Sequence, residues 1–247
     1  MRTLILIMAV MLTPWVAQAG SPVDYQVLGK TFEGYFTKAK NRSNGMVLII
    51  HDWDGLTDYE IKRAEMLSNM GFDAFALDLY GKGNRPKESG ALKAETGKLY
   101  KDRERMRQLI LGALTEARKH GHHKVVVVGY CFGGAVALEL ARSGKAEDIA
   151  GYATFHGWLS TPKGQSYPKN TPPLLIAHGG GDTSISMDDV AAFSKELEGV
   201  GVPYEIQVYS GAPHAFTVFD SNRYRKVADE QSWDALSKFL NKNLSNR

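Results

Sequence analysis

Short runs of apolar residues alternate with longer amphipathic stretches along most of the chain, and glycine, proline or polar residues separate them. Short β-branched runs indicate strands buried on both faces, whereas an apolar period of about 3.6 residues indicates helices. The alternation predicts an α/β fold with a mostly parallel central sheet and helices on both faces. The predicted strands cover 25–28, 32–36, 47–50, 72–79, 125–128, 149–154, 174–177 and 204–209, and the predicted helices cover 59–69, stretches between 92 and 119, 135–142, 187–197 and 227–240.

The start of the chain has a different pattern. Arg2 supplies a positive charge, residues 3–16 are apolar but too short and too interrupted by proline to span a bilayer, and Ala17-Gln18-Ala19 fits a small-x-small cleavage pattern. We expect a cleavable signal peptide at 1–19, one domain at 20–247, and a periplasmic or secreted protein without a membrane span after cleavage. The alternative is an uncleaved anchor.

Composition limits the partners only broadly. The 247 residues are 43% hydrophobic and 23% charged, which is ordinary for a globular protein, and the formal net charge is +3. This charge balance favours neither a nucleic acid nor a membrane surface as a partner. The sequence gives no indication of the oligomeric state.

The single cysteine, Cys131, directly follows the predicted strand 125–128. The spacing Gly129-x-Cys131-x-Gly133 matches the G-x-S-x-G nucleophile elbow, a sharp strand-to-helix turn, with sulfur in place of oxygen. We expect the N-terminus of the following helix to lower the pKa of the thiol and so favour the reactive thiolate. The alternative is a small buried apolar side chain.

Two later residues offer partners for a thiol nucleophile. Asp182 follows the predicted strand 174–177, and His214 follows the strand 204–209. Residues beyond the carboxyl ends of parallel strands converge on one crevice, and the chain order nucleophile, acid, histidine is that of the elbow enzymes. We predict that Cys131 is the nucleophile, Asp182 the orienting carboxylate and His214 the general base. The alternatives are a turn aspartate and a loop histidine.

Three segments carry a family resemblance. They are Gly129-Tyr130-Cys131-Phe132-Gly133-Gly134, His178-Gly179-Gly180-Gly181-Asp182 and Gly211-Ala212-Pro213-His214-Ala215-Phe216. They resemble the catalytic motifs of the dienelactone hydrolase family, a branch of the α/β-hydrolases with a cysteine nucleophile, and the similarity extends from about Val23 to the C-terminal helix. The resemblance implies a single-domain α/β-hydrolase fold. It also implies an enzyme that cleaves small esters or lactones through a thioester acyl-enzyme intermediate, and we expect no metal or other cofactor.

The resemblance also implies roles for residues beside the thiol. The backbone N–H groups of Phe132 and Trp53 are the expected oxyanion hole, which binds the negative charge that develops on the substrate oxygen. Asp52 stands where a glutamate of the family holds the thiol at rest. The alternative for Asp52 is a turn or capping residue.

The substrate-binding positions depart from the family's pattern. Lys82 stands at the first of two arginine positions that bind a substrate carboxylate, and Val218 stands at the second. Neither side chain reproduces the bidentate contact of arginine. We therefore expect neutral or weakly anionic esters to be preferred over dicarboxylate-like lactones. Trp158 and Phe216 lie on motif loops and are candidates for an apolar substrate wall, with core packing as the alternative.

Two charged segments do not indicate further sites. His120-Gly121-His122-His123 follows a long charged helix, where basic groups suit the negative end of the helix, and we predict no metal there. Residues 101–107 mix both charges densely, which predicts a solvated helix face. Two other functions remain open, namely a thiol sensor at Cys131 and a noncatalytic binding module on a hydrolase scaffold.

Overall fold

Eight strands form one sheet in the computed structural model, which describes residues 20–121 and 124–244. The signal peptide predicted at 1–19 and the pair His122 and His123 lie outside the described residues. The strands are β1 Ser21–Val27, β2 Lys30–Thr37, β3 Met46–Ile50, β4 Asp73–Leu77, β5 Val125–Tyr130, β6 Ile149–Phe155, β7 Leu174–Gly179 and β8 Tyr204–Tyr209. The helices are α1 Asp58–Asn69, α2 Ser89–Lys101, α3 Arg103–Lys119, α4 Phe132–Ser143, α5 Met187–Val200 and α6 Lys226–Leu244.

The order of the strands places the site. It is β1-β2-β4-β3-β5-β6-β7-β8, in which β2 pairs antiparallel with β1 and β4, and the strands from β4 to β8 pair in parallel. After β3 the chain adds β4 on one side and β5 on the other. Such a switch point opens a crevice at the carboxyl ends of the two neighbouring strands. The loops after β3 and β5 therefore flank one crevice.

The two faces of the sheet pack against different helices. Every residue of β3, β4 and β5 is buried, which agrees with their almost continuous apolar sequence. Apolar residues of α2 to α5 form a core on one face, and those of α1 and α6 form a core on the other. This confirms the α/β fold with a mostly parallel sheet and helices on both faces.

Hydrogen bonds of two aspartate side chains set the end of β4 and the division between α2 and α3. The strand predicted at 72–79 ends at Leu77, because the carboxylate of Asp78 accepts the N–H groups of Tyr80 and Gly81 and turns the chain. The helical stretches predicted between 92 and 119 are α2 and α3, which are divided at Asp102, whose side chain accepts the N–H of Arg105 and caps α3.

A buried ion pair joins the two helices of one face to the loop that follows β8. The guanidinium of Arg63 in α1, which is 1% exposed, pairs with Asp229 in α6 and donates to the backbone oxygen of Thr217 at 2.8 Å. Tyr59 donates to or accepts from the Thr217 hydroxyl at 2.7 Å. These contacts fix the loop between β8 and α6.

We predict that Arg63→Met lowers the free energy of unfolding by ~3–5 kcal/mol, because the variant leaves the carboxylate of Asp229 buried without its cation. Urea denaturation followed by circular dichroism measures the change. The control is Lys238→Met, which breaks an exposed pair with Asp234 and should cost less than ~1 kcal/mol. Equal losses in the two variants would contradict the prediction.

Candidate active site

The turn after β5 holds Cys131 in a conformation that few residues adopt. Its backbone angles are φ 50° and ψ −111°, and it directly precedes α4. A Cβ at Gly129 would overlap the carbonyl oxygen of Gly133, and a Cβ at Gly133 would overlap the carbonyl oxygen of Ile50 in β3. Only glycine fits both positions, so the G-x-C-x-G spacing is a steric requirement of this turn.

The structure brings the three predicted residues into one hydrogen-bonded chain. His214 Nε2 lies 3.1 Å from Cys131 Sγ, and His214 Nδ1 lies 2.8 Å from Asp182 Oδ2. The other carboxylate oxygen of Asp182 accepts the backbone N–H groups of Ser184 at 2.7 Å and Ile185 at 3.0 Å. The three side chains come from the loops after β5, β7 and β8.

The charge of Asp182 sets the tautomer of the histidine. Burial alone would raise the pKa of Asp182, but the hydrogen bond from His214 and the N–H groups of Ser184 and Ile185 outweigh it and hold the pKa below its ordinary value. An ionised carboxylate only accepts hydrogen bonds, so Nδ1 of His214 carries the proton. Nε2 is then the acceptor that faces the thiol.

The expected lowering of the thiol pKa is wrong. Burial of the sulfur raises the pKa of Cys131 to about 12, and the nearby carboxylate of Asp52 acts in the same direction. The backbone N–H of Phe132 lowers the pKa but does not compensate. Desolvation of the charged form therefore exceeds the effect of this N–H group, and the resting side chain is a neutral thiol.

Asp52 belongs to a cluster of acidic residues in the loop after β3. It is 8% exposed, and its Oδ1 accepts the N–H of Asp54 at 3.1 Å, as in an aspartate turn. Glu60 lies beside it, and burial raises the pKa of Glu60 to about 7 and that of Asp52 well above its ordinary value. Among the described residues no hydrogen bond joins Asp52 to the thiol, so its role as a thiol partner stays a prediction.

The two predicted oxyanion-hole residues flank the same crevice. Phe132 is the first residue of α4, and its backbone N–H forms a hydrogen bond with the sulfur of Cys131 that lowers the pKa of the thiol. Trp53 lies in the loop after β3, the strand that pairs in parallel with β5. Its carbonyl oxygen accepts the hydroxyl of Tyr80 at 2.9 Å, which fixes this loop. The catalytic role of the two N–H groups stays a prediction.

The prediction of a substrate wall at Phe216 is wrong. Its side chain is fully buried, and its ring packs against those of His156 and Tyr209 with centroids 5.5 Å and 5.4 Å away. His156 is also buried, and its Nε2 lies 2.8 Å from the hydroxyl of Thr217. Phe216 and His156 thus support the loop of His214 from below. The sequence of the loop did not show whether Phe216 packs in the core or contacts a substrate.

Lys82, the predicted substrate-binding residue, pairs with acidic side chains of the edge strands, and its role in binding substrate stays a prediction. Its ammonium group pairs with Asp24 of β1 and lies 3.5 Å from a carboxylate oxygen of Glu33 in β2. These strands form the edge of the sheet, three and four positions from β5. The antiparallel pair at this edge, which offers two carboxylates, holds the lysine there.

Trp158, the other candidate for a substrate wall, is 52% exposed and lines a surface groove of about 370 Å³. The remaining lining residues are Tyr100, Arg103, Ser160, Thr161 and Pro162. The sequence did not indicate Tyr100, and the mixed charges of 101–107 predicted a solvated face for Arg103. That prediction is wrong for Arg103 and Arg107, since both pair with the buried Glu139 of α4.

Two other expectations concern the surface. No helix among the described residues is long and apolar enough to cross a membrane. His120 ends α3, and its ring stacks on Phe36 with centroids 4.3 Å apart.

Comparisons with known proteins find relatives and a similar structure that cover most of the chain. Protein usf of Aquifex pyrophilus is 29% identical over 80% of this chain and 87% of its own length. A carboxymethylenebutenolidase of Rhodococcus opacus is 24% identical over 82% of this chain and 83% of its own length. The crystal structure of a dienelactone hydrolase-like promiscuous phosphotriesterase from metagenomic libraries is similar, with a TM-score of 0.81, 26% identity and coverage of 92% of this chain and 98% of that chain.

The resemblance proposed from the three motifs is confirmed by the family model. The model of the dienelactone hydrolase family matches residues 32–244, which include most of β2, all later strands and the loops that carry Cys131, Asp182 and His214. The chain therefore belongs to the dienelactone hydrolase family.

Proposed function

We propose that this protein hydrolyses small carboxylic esters or lactones, with Cys131 as nucleophile, His214 as general base and Asp182 as the orienting carboxylate. The observation that carries the proposal is the hydrogen-bonded chain from Asp182 through His214 to the sulfur, on a turn that only glycine neighbours permit. Membership of the dienelactone hydrolase family and the carboxymethylenebutenolidase of Rhodococcus opacus support the same reaction class.

The first half of the reaction forms an acyl-enzyme. His214 Nε2 takes the thiol proton while the sulfur of Cys131 attacks the carbonyl carbon, and the N–H groups of Phe132 and Trp53 bind the resulting oxyanion. When the tetrahedral intermediate collapses, the C–O bond to the alcohol breaks and His214 returns its proton to the leaving oxygen. The acyl group then remains on the sulfur as a thioester.

The second half uses water. His214 takes a proton from a water molecule, whose oxygen attacks the thioester carbonyl, and the same two N–H groups bind the oxyanion again. The C–S bond breaks, the carboxylic acid leaves, and the proton on His214 restores the thiol. Throughout, the carboxylate of Asp182 keeps Nδ1 protonated and stabilises the imidazolium that forms in each half.

The neutral resting thiol favours this mechanism over a sensor function for Cys131. Redox-sensing cysteines have low pKa values and accessible thiolates, whereas burial raises the pKa of Cys131 to about 12. A sensor also has no use for the hydrogen bond between His214 and Asp182. In the hydrolase, the thiolate forms only as His214 accepts the proton.

We predict that Cys131→Ala and His214→Ala each lower kcat for a short-chain activated ester at least ~10³-fold, because each removes one member of a unit that acts together. Asp182→Asn should lower it ~10²–10⁴-fold through the wrong tautomer of His214. Initial-rate kinetics on purified protein measure these changes, and His120→Gln at the end of α3 is the control. Activity that survives His214→Ala would show that another group is the base.

We predict that iodoacetamide alkylates Cys131 at pH 7 more slowly than the same cysteine in urea-unfolded protein. The raised pKa keeps the folded thiol protonated, so the rate should rise with pH across 7–10 without a plateau. Asp52→Asn should speed the reaction, because the Asp52 carboxylate raises the pKa of the thiol. Intact mass after timed quenching gives the rates. A plateau near neutral pH would mean a stable thiolate and refute the neutral resting state.

We also propose that residues 1–19 are a signal peptide and that the mature protein is periplasmic or secreted. The support is the positive start, the short apolar segment and the Ala17-Gln18-Ala19 pattern. Expression of the full sequence in a bacterial host, followed by fractionation and intact mass, should give an exported protein that begins at Gly20. A cytoplasmic protein that still begins at Met1 would contradict this.

A further inference from the structure

The groove lined by Tyr100, Arg103 and Trp158 lies beside the thiol. The ring of Tyr100 meets that of Phe132 edge-on with centroids 5.4 Å apart, and Phe132 directly follows Cys131. Trp158 lies in the loop after β6, the strand that pairs with β5. An ester whose carbonyl carbon reaches the sulfur therefore has this groove next to it.

The walls of the groove suit a planar apolar group. Tyr100 is 37% exposed and Trp158 is 52% exposed, which leaves two large aromatic surfaces open to solvent beside the crevice. The volume of about 370 Å³ lies near the small end of the range of roughly 300–1,000 Å³ for small-molecule sites. Pro162 adds a further apolar surface. One aromatic ring with a short substituent is the size of ligand that fits.

The groove also contains a guanidinium with free donors. Nη1 of Arg103 donates to Glu139 Oε2 at 2.7 Å, and its guanidinium lies over the ring of Tyr100. Among the described residues, Nε and Nη2 of Arg103 have no hydrogen-bond acceptor. The side chain is 30% exposed, so these donors are open to a ligand.

The charge around Arg103 is not balanced by its partner. The single carboxylate of Glu139 is shared by Arg103, Arg107 and Arg142. Glu104, the other acidic partner of Arg107, is itself paired with Lys145 at 2.8 Å. The four cations Arg103, Arg107, Arg142 and Lys145 outnumber the three carboxylates of Glu139, Glu104 and Glu196, the last of which accepts the Thr161 hydroxyl at 2.9 Å. The excess of positive charge at the wall of the groove favours an anionic ligand.

We propose, resting on the proposed ester hydrolysis, that this groove binds an aryl carboxylate end of the substrate. The ring lies against Tyr100 and Trp158, and the carboxylate accepts from Arg103. Arg103 supplies the cation that the family's two arginine positions lack here, because Lys82 is paired with Asp24 and Val218 is apolar. One such cation selects a singly charged ester, whose scissile carbonyl lies at the other end.

Binding to the inactive Cys131→Ala protein tests the groove without catalysis. The probes are monomethyl terephthalate and its neutral analogue methyl 4-carbamoylbenzoate, measured by titration calorimetry. We expect the carboxylate to bind more tightly than the amide, and Arg103→Met in the Cys131→Ala background to reduce its affinity ~10–100-fold, the strength of a hydrogen bond to a charged group. Equal affinities for the two probes, or no loss with Arg103→Met, would overturn the proposal.

A matched variant distinguishes a direct contact between Arg103 and the ligand from the electrostatic field of the surrounding charges. Lys145→Met removes one positive charge from the same network but not from the lining of the groove, so it should leave the affinity nearly unchanged. An equal loss in Lys145→Met and Arg103→Met would overturn the direct contact. Should Arg103→Met not fold, Arg103→Lys gives the same test, because it keeps the charge and loses the planar pair of donors.

Kinetics of the active enzyme distinguish this proposal from the reaction itself. The ester pairs are monomethyl terephthalate with methyl 4-carbamoylbenzoate, and 4-acetoxybenzoate with 4-acetoxybenzamide, which place the carboxylate on the acyl side and on the alcohol side. In at least one pair, Arg103→Met should lower kcat/KM for the carboxylate ~10–100-fold more than for the amide. Equal losses in both pairs would overturn the groove assignment while hydrolysis stands. Binding that depends on Arg103, with no turnover of any ester, would instead refute the hydrolase.

Discussion

The close approach of two backbone segments at the end of β5 is the constraint on which the site depends. The Cα of Gly133 lies against the carbonyl of Ile50 in β3, and that of Gly129 lies against Gly133, so the chain turns from strand to helix within a few residues. Only this turn holds Cys131 at φ 50°, above the sheet and at the start of α4. The adjacency of β3 and β5 in turn places Trp53 on the other side of the crevice.

Burial at this turn determines how the thiol can react. A thiolate in this crevice lacks the solvation that water gives, and the carboxylate of Asp52 also disfavours it, so the resting state is neutral. The ionised Asp182 keeps the proton of His214 on Nδ1, so that Nε2 is an acceptor for the thiol proton at 3.1 Å from the sulfur. A neutral thiol is also less open to oxidation than a thiolate.

Lys82 and the arginines beside the groove are held by different parts of the fold. The edge strands β1 and β2 bind the ammonium of Lys82, whereas the helix after the elbow carries the buried Glu139 that gathers three arginines beside the groove. The same helix thus presents the N–H of Phe132 to the crevice and, two turns later, orients Arg103. The proposed nucleophile and the proposed groove thus share one rigid element, an arrangement that keeps functional groups well positioned.

The sequence by itself determined the strands and helices and the turn at Cys131, because periodicity and turn residues act locally. It also determined that Asp182 and His214 meet the thiol, because the carboxyl ends of parallel strands lie at one edge of the sheet. It placed the end of β4 two residues too late, because the carboxylate of Asp78 ends that strand by local hydrogen bonds. Only the tertiary structure decided the pKa of the thiol, the burial of Phe216 and the partners of Lys82 and Arg103. Desolvation and ion pairing depend on which distant segments pack together, and a charged residue such as Arg103 gives the same local pattern whether it faces water or a buried glutamate.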